Sequence, residues 1–165
     1  MIATKQKLQF KTRNDLSQAV RQSMTTLLNQ HLADLSDLYS QTKQAHWNVR
    51  GIDFMQLHEL FDKLAEAQPE HIDMIAERVG NLGGVALGTV RMAAGASRLP
   101  ELDTDISEGK AMLTAVANCY AAYAKLAREA IDEAQKAEDL DTADIFTEIS
   151  RLIDQQLWFI EAHLQ

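Results

Sequence analysis

The chain has one cysteine, two prolines and no long apolar run, and each shortage removes a class of protein. Cys119 has no partner for an internal disulfide, so a small cross-linked secreted scaffold is excluded and a reducing compartment, the cytoplasm, is expected. No stretch approaches the roughly 18 apolar residues of a membrane span. Residues 1–10, MIATKQKLQF, lack the apolar segment of a signal peptide, so no membrane partner is expected. Basic charge is also short overall: the net charge is −8, which argues against nucleic acid as a ligand of the main body.

With proline scarce and only 7 glycines in 165 residues, little interrupts helix formation. Hydrophobic residues make up 46% of the chain, and this length supports one domain with its own core. Four helical segments follow from the periodicity. The first runs from about Asp15, a candidate N-cap, to about Trp47, with Leu28, Leu32, Leu35, Tyr39, Thr42 and His46 at helical spacing. Gly51 breaks the chain, Asp53 caps a second helix, and that helix continues to about Leu82 with a kink expected at Pro69. Residues 80–104 concentrate Gly80, Gly83, Gly84, Gly88, Gly95 and Pro100. A connection this long spans the length of a bundle and should carry a short helix near 89–96. A third helix is expected from Asp105, with Glu108 at capping-box spacing, to about Ala137. After the turn 138–141 a fourth helix carries Ile145, Ile149, Leu152, Ile153, Leu157 and Ile160. The fold expected is all-α: a ferritin-like four-helix bundle over residues 15–165, with a long crossover between its second and third helices.

The second helix carries the chemistry. At about 100° per residue, with His58 at 0°, Asp62 falls near 40°, Asp73 near 60° and Glu77 near 100°. Leu57, Phe61, Leu64, Ile75, Val79 and Leu82 cluster between about −60° and −120°. The four polar residues therefore share a stripe turned away from the core. His58 and Asp62 are one turn apart, as are Asp73 and Glu77, but the two pairs are separated by roughly 22 Å of helix. One copy cannot gather all four around one centre. Positions 58 and 77, and likewise 62 and 73, are symmetric about a midpoint between Ala67 and Gln68. Two antiparallel copies would thus set His58 and Asp62 of one against Asp73 and Glu77 of the other, giving two identical sites per isologous dimer. His46, on the inward stripe of the first helix, completes the imidazole complement. Imidazole and carboxylate donors suit ferrous iron, with zinc as a competitor.

KQAHWNVRG (43–51), DFMQLHELFD (53–62), HIDMIAERVGNLGGVALGT (71–89) and the C-terminal DLDTADIFTEISRLIDQQLWFIEAHLQ resemble the Dps mini-ferritins, the DNA-binding proteins from starved cells. The resemblance implies a hollow dodecamer built from two-fold dimers. It implies oxidation of Fe(II), preferentially with hydrogen peroxide, at sites of two irons each, and storage of ferric mineral inside. His46, His58, Asp62, Asp73 and Glu77 match the family's ferroxidase positions, and Trp47 matches its tryptophan beside the iron site. No Glu-x-x-His occurs, so an intrasubunit diiron site is not expected.

Two further groups are candidates for other roles. Glu138, Asp139, Asp141 and Asp144 crowd the start of the fourth helix, where they stabilise its dipole or draw Fe(II) into a cage. Residues 1–14 carry Lys5, Lys7, Lys11 and Arg13 and no acid, a local charge of +4 that leaves −12 on the rest. This segment reads as a flexible basic arm for DNA or as an N-terminus folded back through Leu8 and Phe10. The competing functions are accordingly a DNA-compacting protein acting through that arm and a helical adaptor without chemistry.

Overall fold

Helices form where glycine and proline are missing, and the computed structural model, which describes residues 8–165, contains six of them among those residues. They are α1 (Gln18–Asn48), α2 (Phe54–Glu66), α3 (Pro69–Asn81), α4 (Val90–Ala96), α5 (Gly109–Lys136) and α6 (Leu140–Ala162). The α2–α3 pair acts as one leg of a four-helix bundle, and residues 82–108, carrying α4, form the long crossover. Met24, Leu28, Leu32, Leu35 and Leu38 of α1 are buried. So are Phe146, Ile149, Ile153 and Ile160 of α6, while α5 contributes a buried stripe of small residues, Ala124, Ala127, Ala130 and Ala134.

The second leg is broken rather than kinked. Pro69 has no N–H to continue the ladder, and it takes the first-turn position of α3, where none is required. Ala67 and Gln68 nevertheless keep right-handed helical backbone, so the helical phase carries across the junction. Leu57, Phe61, Leu64, Ile75, Val79 and Leu82 are all buried, as a continuous helix requires. Gln68 fastens the junction to the core: its side-chain amide donates to the Tyr120 hydroxyl at 2.6 Å. The Thr42 hydroxyl donates to the Leu38 carbonyl at 2.7 Å, which leaves its oxygen to accept from Tyr120 at 3.2 Å.

Three helix starts differ from the sequence expectation. Ser17, not Asp15, caps α1, its hydroxyl accepting from Val20 N–H, because Asn14 and Thr12 use their side chains to build the preceding turn. Glu108, not Asp105, caps α5: Arg50 N–H donates to the Ser107 carbonyl at 2.7 Å, which keeps that segment extended until Gly109. The turn before α6 is shorter than expected. Glu138 sits at φ 62, and Asp139 N–H and Glu138 N–H donate to the Ala134 and Gln135 carbonyls, a Schellman arrangement with Glu in the place glycine usually takes.

The described part of the basic segment is docked. Gln9 and Phe10 N–H groups both donate to the Gly83 carbonyl at 3.0 Å, and Arg21 donates to the Leu16 and Leu82 carbonyls. Gly83 has φ +84, and a Cβ there would meet the Phe10 carbonyl oxygen at 2.6 Å. Lys11 and Arg13 are exposed on this docked segment; Lys5 and Lys7 lie outside the described residues. Asp34, fully buried, accepts from the Arg98 backbone and guanidinium and from Gln30, pinning the crossover to α1.

His31 lies in the core, 1% exposed and packed edge-on against Phe146 at 4.6 Å. Burial first, and then the Arg98 guanidinium, push its pKa down to about 3. The folded state therefore binds fewer protons than the unfolded one between about pH 6.5 and 3. Stability is lost as pH falls through that window, by about 1.4 kcal/mol per pH unit for this one group. Denaturation of the parent and of His31→Asn between pH 7 and 5 should show a shallower pH slope in the variant, and equal slopes would refute the assignment.

Candidate metal centre

The last turn of α1 leaves carbonyls without N–H partners. Gly51, at φ +121, turns the chain so that α2 returns beside that end. His58 then caps it: its Nδ1 donates to the His46 carbonyl at 2.9 Å. His46 reciprocates, its Nδ1 donating to the His58 carbonyl at 2.7 Å. A carbonyl only accepts, so both Nδ1 atoms carry a proton, and in the neutral rings the lone pairs lie on Nε2, the arrangement typical of metal-ligating imidazoles. The rings stack with centroids 3.7 Å apart and an interplanar angle of 23°.

Asp62 joins them from one turn further along α2, with its Oδ1 3.8 Å from His46 Nε2. The same oxygen accepts from Lys43 Nζ at 2.6 Å. That hydrogen bond is the largest cause holding the Asp62 carboxyl below the usual carboxylate range, against the opposing effect of burial. The position of Lys43 gives no signal in the metal-ligand pattern, but it lies one turn before Trp47 and three residues before His46. Its ammonium is 5.9 Å from the Trp47 ring. Trp47 itself is 59% exposed, so within one chain it does not serve to pack the helix end.

Asp73 and Glu77 are exposed on α3 and do not join this cluster. Among the described residues of one chain, no three His, Cys, Asp or Glu side chains converge enough to hold an ion. Asp73 instead borders an open groove of roughly 400 Å³ with Leu32, Tyr39, Ile72 and Ala76.

The acidic group at α6 divides. Asp139 is 2% exposed and is the α6 N-cap; its carboxylate accepts from Arg78 at 2.6 Å, from Thr142 N–H and from the Thr142 hydroxyl. It is committed internally, which fits the helix-stabilising reading of this residue and not the ion-drawing one. Asp141 stands 3.4 Å from Arg78 with its side chain 83% exposed, and Glu138 and Asp144 are also exposed. Burial, and to a lesser degree the Asp37 carboxylate, pushes the Cys119 thiol up to about 11 and leaves it unreactive. His71 is buried, its Nε2 3.5 Å from Glu148, and His163 is exposed at the end of α6. Trp158 is 61% exposed and so is not core.

A broken-legged bundle with a half-built His and carboxylate cluster on its second leg defines a ferritin-like protein, and the ferritin-like domain family matches residues 25–165. The DNA protection during starvation protein of Agrobacterium fabrum is 43% identical over 155 residues, covering 94% of this chain and 96% of that protein. Among solved structures, DpsC from Streptomyces coelicolor superposes with a TM-score of 0.89 at 34% identity, covering 98% of this chain and 96% of that one. A Dps protein from Bacillus brevis gives 0.83 at 31% identity, covering 89% and 98%. The chain belongs to the Dps family of ferritin-like proteins. Its general function is therefore of the iron-storage, ferroxidase type. Among the described residues no helix is long and apolar enough to cross a membrane.

Lys43→Met removes the main cause of the depressed Asp62 pKa. Carboxyl carbon NMR of aspartate-labelled protein should show Asp62 titrating higher, nearer its ordinary value, in the variant; an unmoved titration would exclude Lys43 as the cause.

Proposed function

We propose that this chain oxidises Fe(II), preferentially with hydrogen peroxide, at sites shared between two copies, and that the copies form a closed dodecamer which stores the ferric product. The observation that carries this reading is the reciprocal His46–His58 exchange, which presents two free Nε2 lone pairs beside Asp62. The donor chemistry fits the substrate: imidazole nitrogens with carboxylate oxygens hold ferrous iron, and zinc competes for the same set. Asp73 and Glu77 of a second copy supply the missing carboxylates in the antiparallel arrangement, since within one chain they stand apart.

Ring geometry favours two ions per site. A metal lies in the plane of its imidazole about 2.1 Å beyond the nitrogen. With rings stacked at 3.7 Å and tilted by 23°, an ion in the plane of one ring is at least about 2 Å out of the plane of the other. Each imidazole thus serves its own ion, at the short spacing of two-metal sites. Two Fe(II) ions together give two electrons to one peroxide, which takes up two protons and leaves as two waters. No one-electron reduction, and so no hydroxyl radical, is required. Trp47, exposed beside His46, intercepts stray oxidising equivalents.

Lys43 tunes this half of the site: its ammonium occupies one Asp62 oxygen, so an ion that takes that oxygen competes with it. Glu138, Asp141 and Asp144, exposed and acidic, draw Fe(II) toward the assembly.

Complementation tests the sharing. A chain with His46→Ala and His58→Ala, and another with Asp73→Ala and Glu77→Ala, should each assemble but lack fast Fe(II) oxidation. Co-assembled from a denatured mixture, they should regain activity, because each mixed dimer rebuilds one complete site. No recovery would argue against shared sites. An anaerobic Fe(II) titration, followed by peroxide and then oxygen, reads the oxidant preference.

A second reading has Lys11 and Arg13, with Lys5 and Lys7, contacting DNA; the exposure of Lys11 and Arg13 on the docked segment supports it. Many copies in one assembly would add these modest charges by avidity. In a gel-shift assay, deletion of residues 1–13 should abolish retention, and raised salt should weaken it steeply. Equal retention by the full and shortened chains would rule the arm out.

A further inference from the structure

Beyond His46 and His58, the stack at the metal centre continues outward in two more layers. Phe54, the first residue of α2, lies one turn before His58, and their ring centroids are 5.1 Å apart with a tilt of 33°. Above Phe54 sits Arg50, its guanidinium carbon 5.9 Å from the Phe54 centroid. The guanidinium is not free to drift: Nη1 donates to the Val49 carbonyl at 2.7 Å and to the Trp47 carbonyl at 3.1 Å. Its backbone is fixed as well, by the bond from Arg50 N–H to the Ser107 carbonyl. The layers therefore form a closed circuit. It leaves α1 through Arg50, passes through Phe54 and His58 on α2, and returns to α1 at His46.

The circuit answers a problem that the hydrogen bonds leave open. The torsion that turns an imidazole about its own axis is broad and two-fold. One Nδ1–H bond fixes the ring's direction but leaves it free to rock about that bond. His46 closes the inner face of His58. Among the ring contacts of the described residues, the other one that His58 makes is to Phe54.

We propose that Phe54, backed by Arg50, is a positioning residue for the metal centre, pressing His58 into the orientation that stacks on His46 and aims its Nε2. This rests on the reading of His46 and His58 as metal ligands. Phe54 touches the ligand rather than the metal, and loss of such support commonly costs 10–100-fold in metal affinity.

The test is an anaerobic Co(II) titration of the assembled protein followed by visible absorption, with size-exclusion chromatography of every variant. Phe54→Leu and Phe54→Met keep an apolar side chain but lose the flat ring, whereas Phe54→Tyr keeps it. The first two should bind Co(II) about ten-fold or more weakly, with an altered ligand-field spectrum, while Phe54→Tyr stays close to the parent in both. Parent-like titration of assembled Phe54→Leu or Phe54→Met overturns the proposal, as does equal weakening of Phe54→Tyr. Loss of assembly by both apolar variants also overturns it, since Phe54 would then serve contact between copies. If His58→Ala takes up Co(II) like the parent, the metal-site reading itself fails, and the role of Phe54 with it.

Discussion

Two hydrogen bonds between imidazoles and main-chain carbonyls hold the functional end of this molecule together. His58 satisfies a carbonyl that the end of α1 would otherwise leave without a partner, and His46 bonds back to the body of α2. The same bonds that join the two helices also choose the tautomer of both rings. Stability and ligand readiness are thus one requirement here: a change that loosened the α1–α2 junction would misdirect the nitrogen lone pairs at the same time. Gly51 at φ +121 is the backbone condition for it, since the return from α1 to α2 is made in five residues between Asn48 and Phe54.

Positive charge is placed with care in this acidic chain. Arg78 neutralises the buried Asp139 at the start of α6, Arg98 neutralises the buried Asp34 on α1, and Lys43 neutralises Asp62 at the metal centre. The first two pairs are structural, with carboxylates wholly inside that could not remain charged alone. The third differs in that Asp62 is partly open to solvent, so its cation can be exchanged for another. Burial separates acids committed to the fold from one that solvent can still reach.

Much of this was legible in the sequence because helical periodicity is a strong signal. The wheel placed Leu57, Phe61, Leu64, Ile75, Val79 and Leu82 inside, and all six are buried. It held across the junction because Ala67 and Gln68 stay helical although Pro69 cuts the hydrogen-bond ladder. The grouping of His46, His58 and Asp62 was visible too. What escaped were features decided by tertiary contact. Ser17 and Glu108 replace Asp15 and Asp105 as caps because neighbouring turns and the Arg50–Ser107 bond claim the backbone first. Asp139 looked like its acidic neighbours until Arg78, sixty-one residues away, was seen to hold it. His31 belongs to the core for a reason no local pattern carries, its packing against Phe146 of α6.

The tight turn between α5 and α6 has a kinetic side. Only Ala137, Glu138 and Asp139 separate the two helices, so closing that hairpin costs little chain entropy. The first leg, by contrast, meets α5 only after the whole crossover has been laid down. Low sequence separation makes the α5–α6 hairpin quick to form. The imidazole pair also closes over a short separation, twelve residues from His46 to His58, so α1 and α2 join through the same kind of local contact. The two Nδ1–carbonyl bonds therefore need no contact from α5 or α6 in order to close.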